Sequence, residues 1–132
     1  MINWLCTRAL RDVLPTSAAF PGLEACNLPA FVRRCNAEAP PLFKIALWAS
    51  VAMWLASPIW TIYVPLPAVL LPRAWNDRHL RKMAGSRVYI LRQVVLMLKQ
   101  TGGACWGADP GVRKAAGMLP YPPDPGTWKG MP

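Results

Sequence analysis

The sequence predicts a mainly α-helical fold: one kinked transmembrane helix, short amphipathic helices on either side, and a proline-rich extended C-terminal tail. Three observations carry this. From Ile45 to Pro72 no charged side chain occurs, a run of 28 residues bounded by Lys44 and Arg73. On both sides of it apolar residues recur at steps of three and four, and no alternating stretch of useful length occurs outside Tyr63 to Leu71. Proline and glycine crowd the segment after Gly117. The chain therefore divides into amphipathic helices over 1–41, a membrane segment over 42–72, a basic helical region over 73–117 and an extended tail over 118–132.

Composition fits that division. The chain has 132 residues, 54% of them hydrophobic, and carries a formal charge of +9, with a mean hydropathy of +0.22. With its longest apolar segment given to lipid, so short a chain can build only a small core, and it is expected to lean on a partner or on the bilayer. The positive charge suits anionic lipid headgroups or nucleic acid; the apolar run beside it favours lipid, and no nucleic-acid binding is expected.

Ile2, Leu5, Cys6, Ala9, Leu10 and Val13 share one face of a first helix, opposite Asn3, Thr7, Arg11 and Asp12. Pro15 stops it, and the low net charge of its polar face makes it a docking helix rather than a lipid-seeking one. After a turn at Pro21-Gly22, a second short helix is expected from Pro29 to Ala37, ending before Pro40-Pro41.

The membrane segment carries three prolines. Pro58 should kink the helix, and Pro65 and Pro67 should end it, so a regular span over about Leu42 to Val64 is expected, close to the ~20 residues that a crossing needs. The alternative is a re-entrant hairpin breaking near Pro58, with arms from Ile45 to Ser57 and from Ile59 to Leu71, each ~20 Å long and too short to cross. Ala46, Ala49, Ala52 and Ala56 place small side chains along one helix face, where another backbone could approach closely. Basic residues after the segment outnumber those before it, which predicts a single-pass protein with a cytoplasmic C-terminal region. Arg73, Trp75, Arg78, Arg81 and Lys82 are the expected headgroup contacts.

Beyond the membrane, Asn76 is an expected N-cap of a basic helix through Met83, with Gly85-Ser86 ending or bending it. In the next helix Val88, Leu91, Val95 and Leu98 form an apolar seam, widened by Ile90, Val94 and Met97, and Gly102-Gly103 should end it. So broad a seam requires covering, and together with Trp106 and Trp128 it is the expected docking surface for a partner. Asp109-Pro110 should cap a short helix to Ala116, with Gly117 in the C-cap place.

Chemistry is sparse. Cys6, Cys26, Cys35 and Cys105 show no CxxC, CxxCH or zinc spacing, so they read as buried free thiols; Cys26 and Cys35 could pair if the N-terminal region is extracytoplasmic. His79 and Met83 stand one turn apart and cannot take opposite sides of a haem, which leaves His79 on an interfacial polar face. The six acidic residues are scattered, and no nucleotide-binding loop or nucleophile with a positioned base is visible. No catalytic, cofactor or metal residue is assigned.

The stretch Leu91-Arg92-Gln93, then Leu98-Lys99, then Trp106-Gly107-Ala108-Asp109-Pro110-Gly111-Val112-Arg113 and Gly117, resembles the short helical segment that accompanies some flavin-dependent dehydrogenases of the glucose-methanol-choline type. That resemblance covers the last third of the chain and implies that flavin or haem, and the substrate, belong to a larger partner. The expected function is a noncatalytic membrane subunit that anchors or stabilises a larger complex, a redox enzyme by that resemblance. The alternative is a stand-alone membrane protein binding anionic lipid through its basic juxtamembrane helix.

Overall fold

A computed structural model describes residues 1–120 and Pro122. Among these the regular secondary structure is all helical, with no strand. Seven α-helices occur: α1 (Ile2–Val13), α2 (Leu28–Glu38), α3 (Pro41–Ala56), α4 (Pro58–Thr61), α5 (Arg73–Ala84), α6 (Tyr89–Ala108) and α7 (Pro110–Ala115), with single 3-10 turns at Leu23–Ala25 and Ala68–Leu70. The longest, α6, is the axis of the fold: α3, α1 and α5 all pack against it.

The seam of α6 is the core. Leu91, Val94, Val95, Leu98 and Cys105 are buried, facing a shell that includes Leu10 of α1, Leu47, Val51 and Trp54 of α3, and Met83 of α5. Most of the seam expected to need a partner is thus covered from within the chain, by apolar stripes on α1 and α3 and by Met83 of α5, while Val88 and Ile90 stay exposed.

Outside the membrane segment the helix boundaries differ from expectation in two main places. Helix α5 opens at Arg73, after Pro72, whose fixed φ suits a helix entrance; Asn76 is not its cap but lies inside it, buried, with Nδ2 donating to Asp12 Oδ2 at 2.7 Å. Helix α6 runs through Gly102-Gly103 to Ala108. Gly102 is there for close approach: a Cβ on it would stand 2.8 Å from Leu23 Cδ1 and 3.2 Å from Leu14 Cδ1. Asp109 behaves as expected, its carboxylate accepting from Gly111 N at 2.9 Å and Val112 N at 3.1 Å, and Gly117 takes φ +68° after α7.

The membrane segment departs most. No helix among the described residues is long and apolar enough to cross a membrane. In place of a kinked span, α3 stops at Ala56, Ser57 forms the break, α4 adds 4 residues, and the chain then runs irregularly to the 3-10 turn at Ala68–Leu70. Pro58 is the cause of the break, since it supplies no N–H and collides with the turn before it. The inner side of α3 is moreover occupied by α6 rather than open to lipid.

Candidate functional site

Helix α3 has two apolar sides. Leu47, Ser50, Val51 and Trp54, at steps of three and four, face inward and are buried. The other side, Leu42, Ile45, Ala46, Trp48, Ala49, Ala52 and Ala56, is exposed. The four alanines expected to seat a neighbouring helix therefore lie exposed on the outer surface. The uncharged exposed surface continues past the break through Ile59, Trp60, Tyr63, Leu66 and Leu70, with Tyr63 86% exposed. Trp48 is held at one edge, its Nε1 donating to Asn36 Oδ1 at 3.0 Å while Asn36 Nδ2 donates to Asn3 Oδ1 at 2.6 Å. That relay ties α3 to α2 and α1, so the face is carried on a fixed scaffold.

Directly after this stretch comes the basic helix. Arg73, Trp75, Arg78, Arg81 and Lys82 are all exposed on α5. Arg73 approaches Glu24 at 3.9 Å, and the Arg78 guanidinium sits 5.9 Å from the centre of the Trp75 ring. The opposite side of α5 buries Asn76, His79 and Met83.

Of the expected docking residues, Val88 is exposed, Leu91, Val95 and Leu98 are in the core, and Trp106 is half-buried, its Nε1 donating to Pro21 O at 2.7 Å and its ring meeting Phe20 edge-on at 6.2 Å. Trp128, like most of the tail, lies outside the described residues.

His79 is not on an interfacial face: it is fully buried at the joint between α3 and α4. Its Nε2 lies 3.1 Å from Trp54 O and 3.3 Å from Ser57 Oγ, and its Nδ1 lies 2.6 Å from Thr61 Oγ1. Pro58, four residues after Trp54, cannot donate to that carbonyl, so the proton belongs on Nε2. Nδ1 then accepts from the Thr61 hydroxyl; the Ser57 carbonyl, also within reach of that hydroxyl, already takes the N–H groups of Trp60 and Thr61. Ser57 Oγ donates to Met83 Sδ at 3.4 Å. Burial pushes the His79 pKa down and the bond to Trp54 opposes this, so the ring is neutral. The Ser57–His79 pair cannot serve as nucleophile and base, because the nitrogen facing the serine carries the proton and both groups are buried.

All four cysteines are free thiols. Cys26 and Cys105 act on each other's thiols, and no disulfide joins Cys26 to Cys35. Burial, helped by Cys26 and Asp109, drives the Cys105 thiol up to about 12, which leaves it protonated and unreactive. No cluster of three or more metal-ligating side chains occurs among the described residues.

Sequence reasoning missed the role of His79. The proline that orphans the Trp54 carbonyl was legible, but the donor that answers it comes from another helix. Comparison of the chain with protein-family models, with curated proteins and with solved structures gives no match.

Proposed function

We propose that this chain is a noncatalytic accessory subunit that anchors or stabilises a larger membrane complex by seating the uncharged outer face of α3, α4 and the segment to Leu70 against a larger protein. The observation that carries the reading is that face itself: the chain completes its own core and still exposes Ile45, Ile59, Trp60, Tyr63, Leu66 and Leu70 in one charge-free stretch. Contiguous apolar surface on a folded domain marks a contact with protein or membrane. The resemblance of the C-terminal third to the segment accompanying glucose-methanol-choline dehydrogenases makes that larger protein an oxidoreductase, which would hold the flavin or haem.

Membrane attachment in this reading is peripheral. A transmembrane helix would require α3, at 16 residues ~24 Å long, to straighten through Pro58 and its inner side to leave α6. Arg73, Trp75, Arg78, Arg81 and Lys82 instead supply cations and an indole suited to anionic headgroups on the cytoplasmic leaflet.

That basic helix favours a second reading, a stand-alone protein binding anionic lipid. Purification of the tagged protein from its native membrane in mild detergent separates the two. A large stoichiometric companion with flavin or haem absorption supports the accessory subunit. A colourless, partner-free protein that floats with anionic vesicles and is released by salt supports the second reading instead.

A further inference from the structure

Between α1, α5 and α6 lies an open cleft of about 270 Å³. Its apolar floor is Val13, Leu80 and Val95. Around the floor stand four charges: Asp12 from α1, Asp77 and Arg81 one turn apart on α5, and Lys99 from α6, one turn beyond Val95. Among the described residues no ion pair joins either acid to either base; Asp12 is turned to Arg8 at 3.2 Å and to Asn76. Burial holds the Asp12 carboxyl above its ordinary pKa, against the pull of Arg8 and Arg73.

An anion placed here would face Asp12 and Asp77, and a cation would face Arg81 and Lys99. A ligand carrying both signs avoids both conflicts. We infer that the cleft binds a small zwitterion, with a primary ammonium directed to Asp12 and Asp77, an oxyanion to Arg81 and Lys99, and a short carbon link over Val13, Leu80 and Val95. The chemistry is that of phosphoethanolamine, whether as the free compound or as the headgroup of a phospholipid. The ammonium matters because its N–H groups donate to carboxylates, which a quaternary choline cannot do. This inference stands on the cleft and not on the outer face of α3.

The test is titration of the full-length protein, followed by NMR or calorimetry, with O-phosphoethanolamine, phosphocholine, ethanolamine and inorganic phosphate. The expected result is saturable binding of O-phosphoethanolamine at least tenfold tighter than any of the other three, a margin of about 1.4 kcal/mol. Asp77→Asn and Lys99→Gln, each checked for an unchanged melting curve, should each weaken it by a similar factor. Net-neutral vesicles of phosphatidylethanolamine with phosphatidylcholine, against phosphatidylcholine alone, separate the sources. Preference for the ethanolamine vesicles, lost in Lys99→Gln, identifies the headgroup; binding of the soluble compound alone identifies a free metabolite. No saturable binding to either, or phosphate and ethanolamine each binding as tightly as the compound carrying both, overturns the inference.

Discussion

His79 Nε2 lies 3.1 Å from the carbonyl oxygen of Trp54, the acceptor that Pro58 leaves without its helical donor. A side chain from α5 thereby takes the place of a missing main-chain N–H at the end of α3. Thr61 closes the other side of the ring at 2.6 Å, so one imidazole pins α3, α4 and α5 together.

Removing that donor should be costly. In His79→Phe the Trp54 carbonyl is buried without a partner, a loss of about 1–3 kcal/mol, with the unmatched Thr61 hydroxyl adding to it. Pro58→Ala should answer part of the loss, since the main-chain N–H that it restores can reach Trp54 O. In a double-mutant cycle measured by chemical denaturation, the penalty of His79→Phe should be about 1 kcal/mol smaller in the Pro58→Ala background. Additive penalties would mean that the two groups do not share the carbonyl.

The same contact sets a pH dependence. The folded pKa of His79 lies below the unfolded value of about 6.5, so between the two the unfolded chain binds more protons. The stability contributed by the neutral ring is complete above about pH 6.5 and is lost as pH falls towards the folded pKa. Denaturation midpoints between pH 7.5 and 5 should fall in the wild type and lose that part of their slope in His79→Gln.

Adjacent glycines on α6 should respond differently. Gly103 has nothing within 4 Å of a built Cβ, so Gly103→Ala should stabilise the helix by about 1 kcal/mol. Gly102→Ala has the same helical gain but must displace Leu23 and Leu14. Its melting temperature should fall below that of Gly103→Ala, by the equivalent of ~1 kcal/mol or more.

Tyr63 separates folding from docking. It holds φ +57° while its side chain is 86% exposed, a backbone state that costs a non-glycine residue about 1 kcal/mol. Tyr63→Gly should leave the isolated protein as stable as wild type or slightly more so, while weakening recovery of the companion protein. Thermal melts and co-purification on one preparation check both halves.

The helices with one clear apolar stripe were legible from sequence. Ile2 to Val13 reproduces its apolar spacing, and the Asp109-Pro110 helix its N-cap, because local rules suffice there. The charge-free run misled for a physical reason. A helix buried on one side by α6 and left bare on the other carries the same residues as a helix in lipid, and only tertiary contacts distinguish them. Gly102-Gly103 read as a stop for a similar reason: a glycine that admits Leu23 looks the same in sequence as one that ends a helix. The apolar seam of α6 is legible in its spacing, but its cover is not, since Leu47, Val51 and Trp54 sit in a charge-free run that reads as membrane.

If the bare side of α3 and α4 seats a larger protein, Ile59→Asp should break that contact. Ile59 is 55% exposed, so a carboxylate there remains solvated in the isolated protein and is buried only when the face is covered. Wild type and variant are recovered from native membranes at equal expression, and the stoichiometric companion is quantified by mass spectrometry. The expected result is an unchanged melting curve and at least a tenfold loss of the companion, corresponding to about 1.4 kcal/mol or more of binding. Full retention of the companion by a folded Ile59→Asp protein would contradict it.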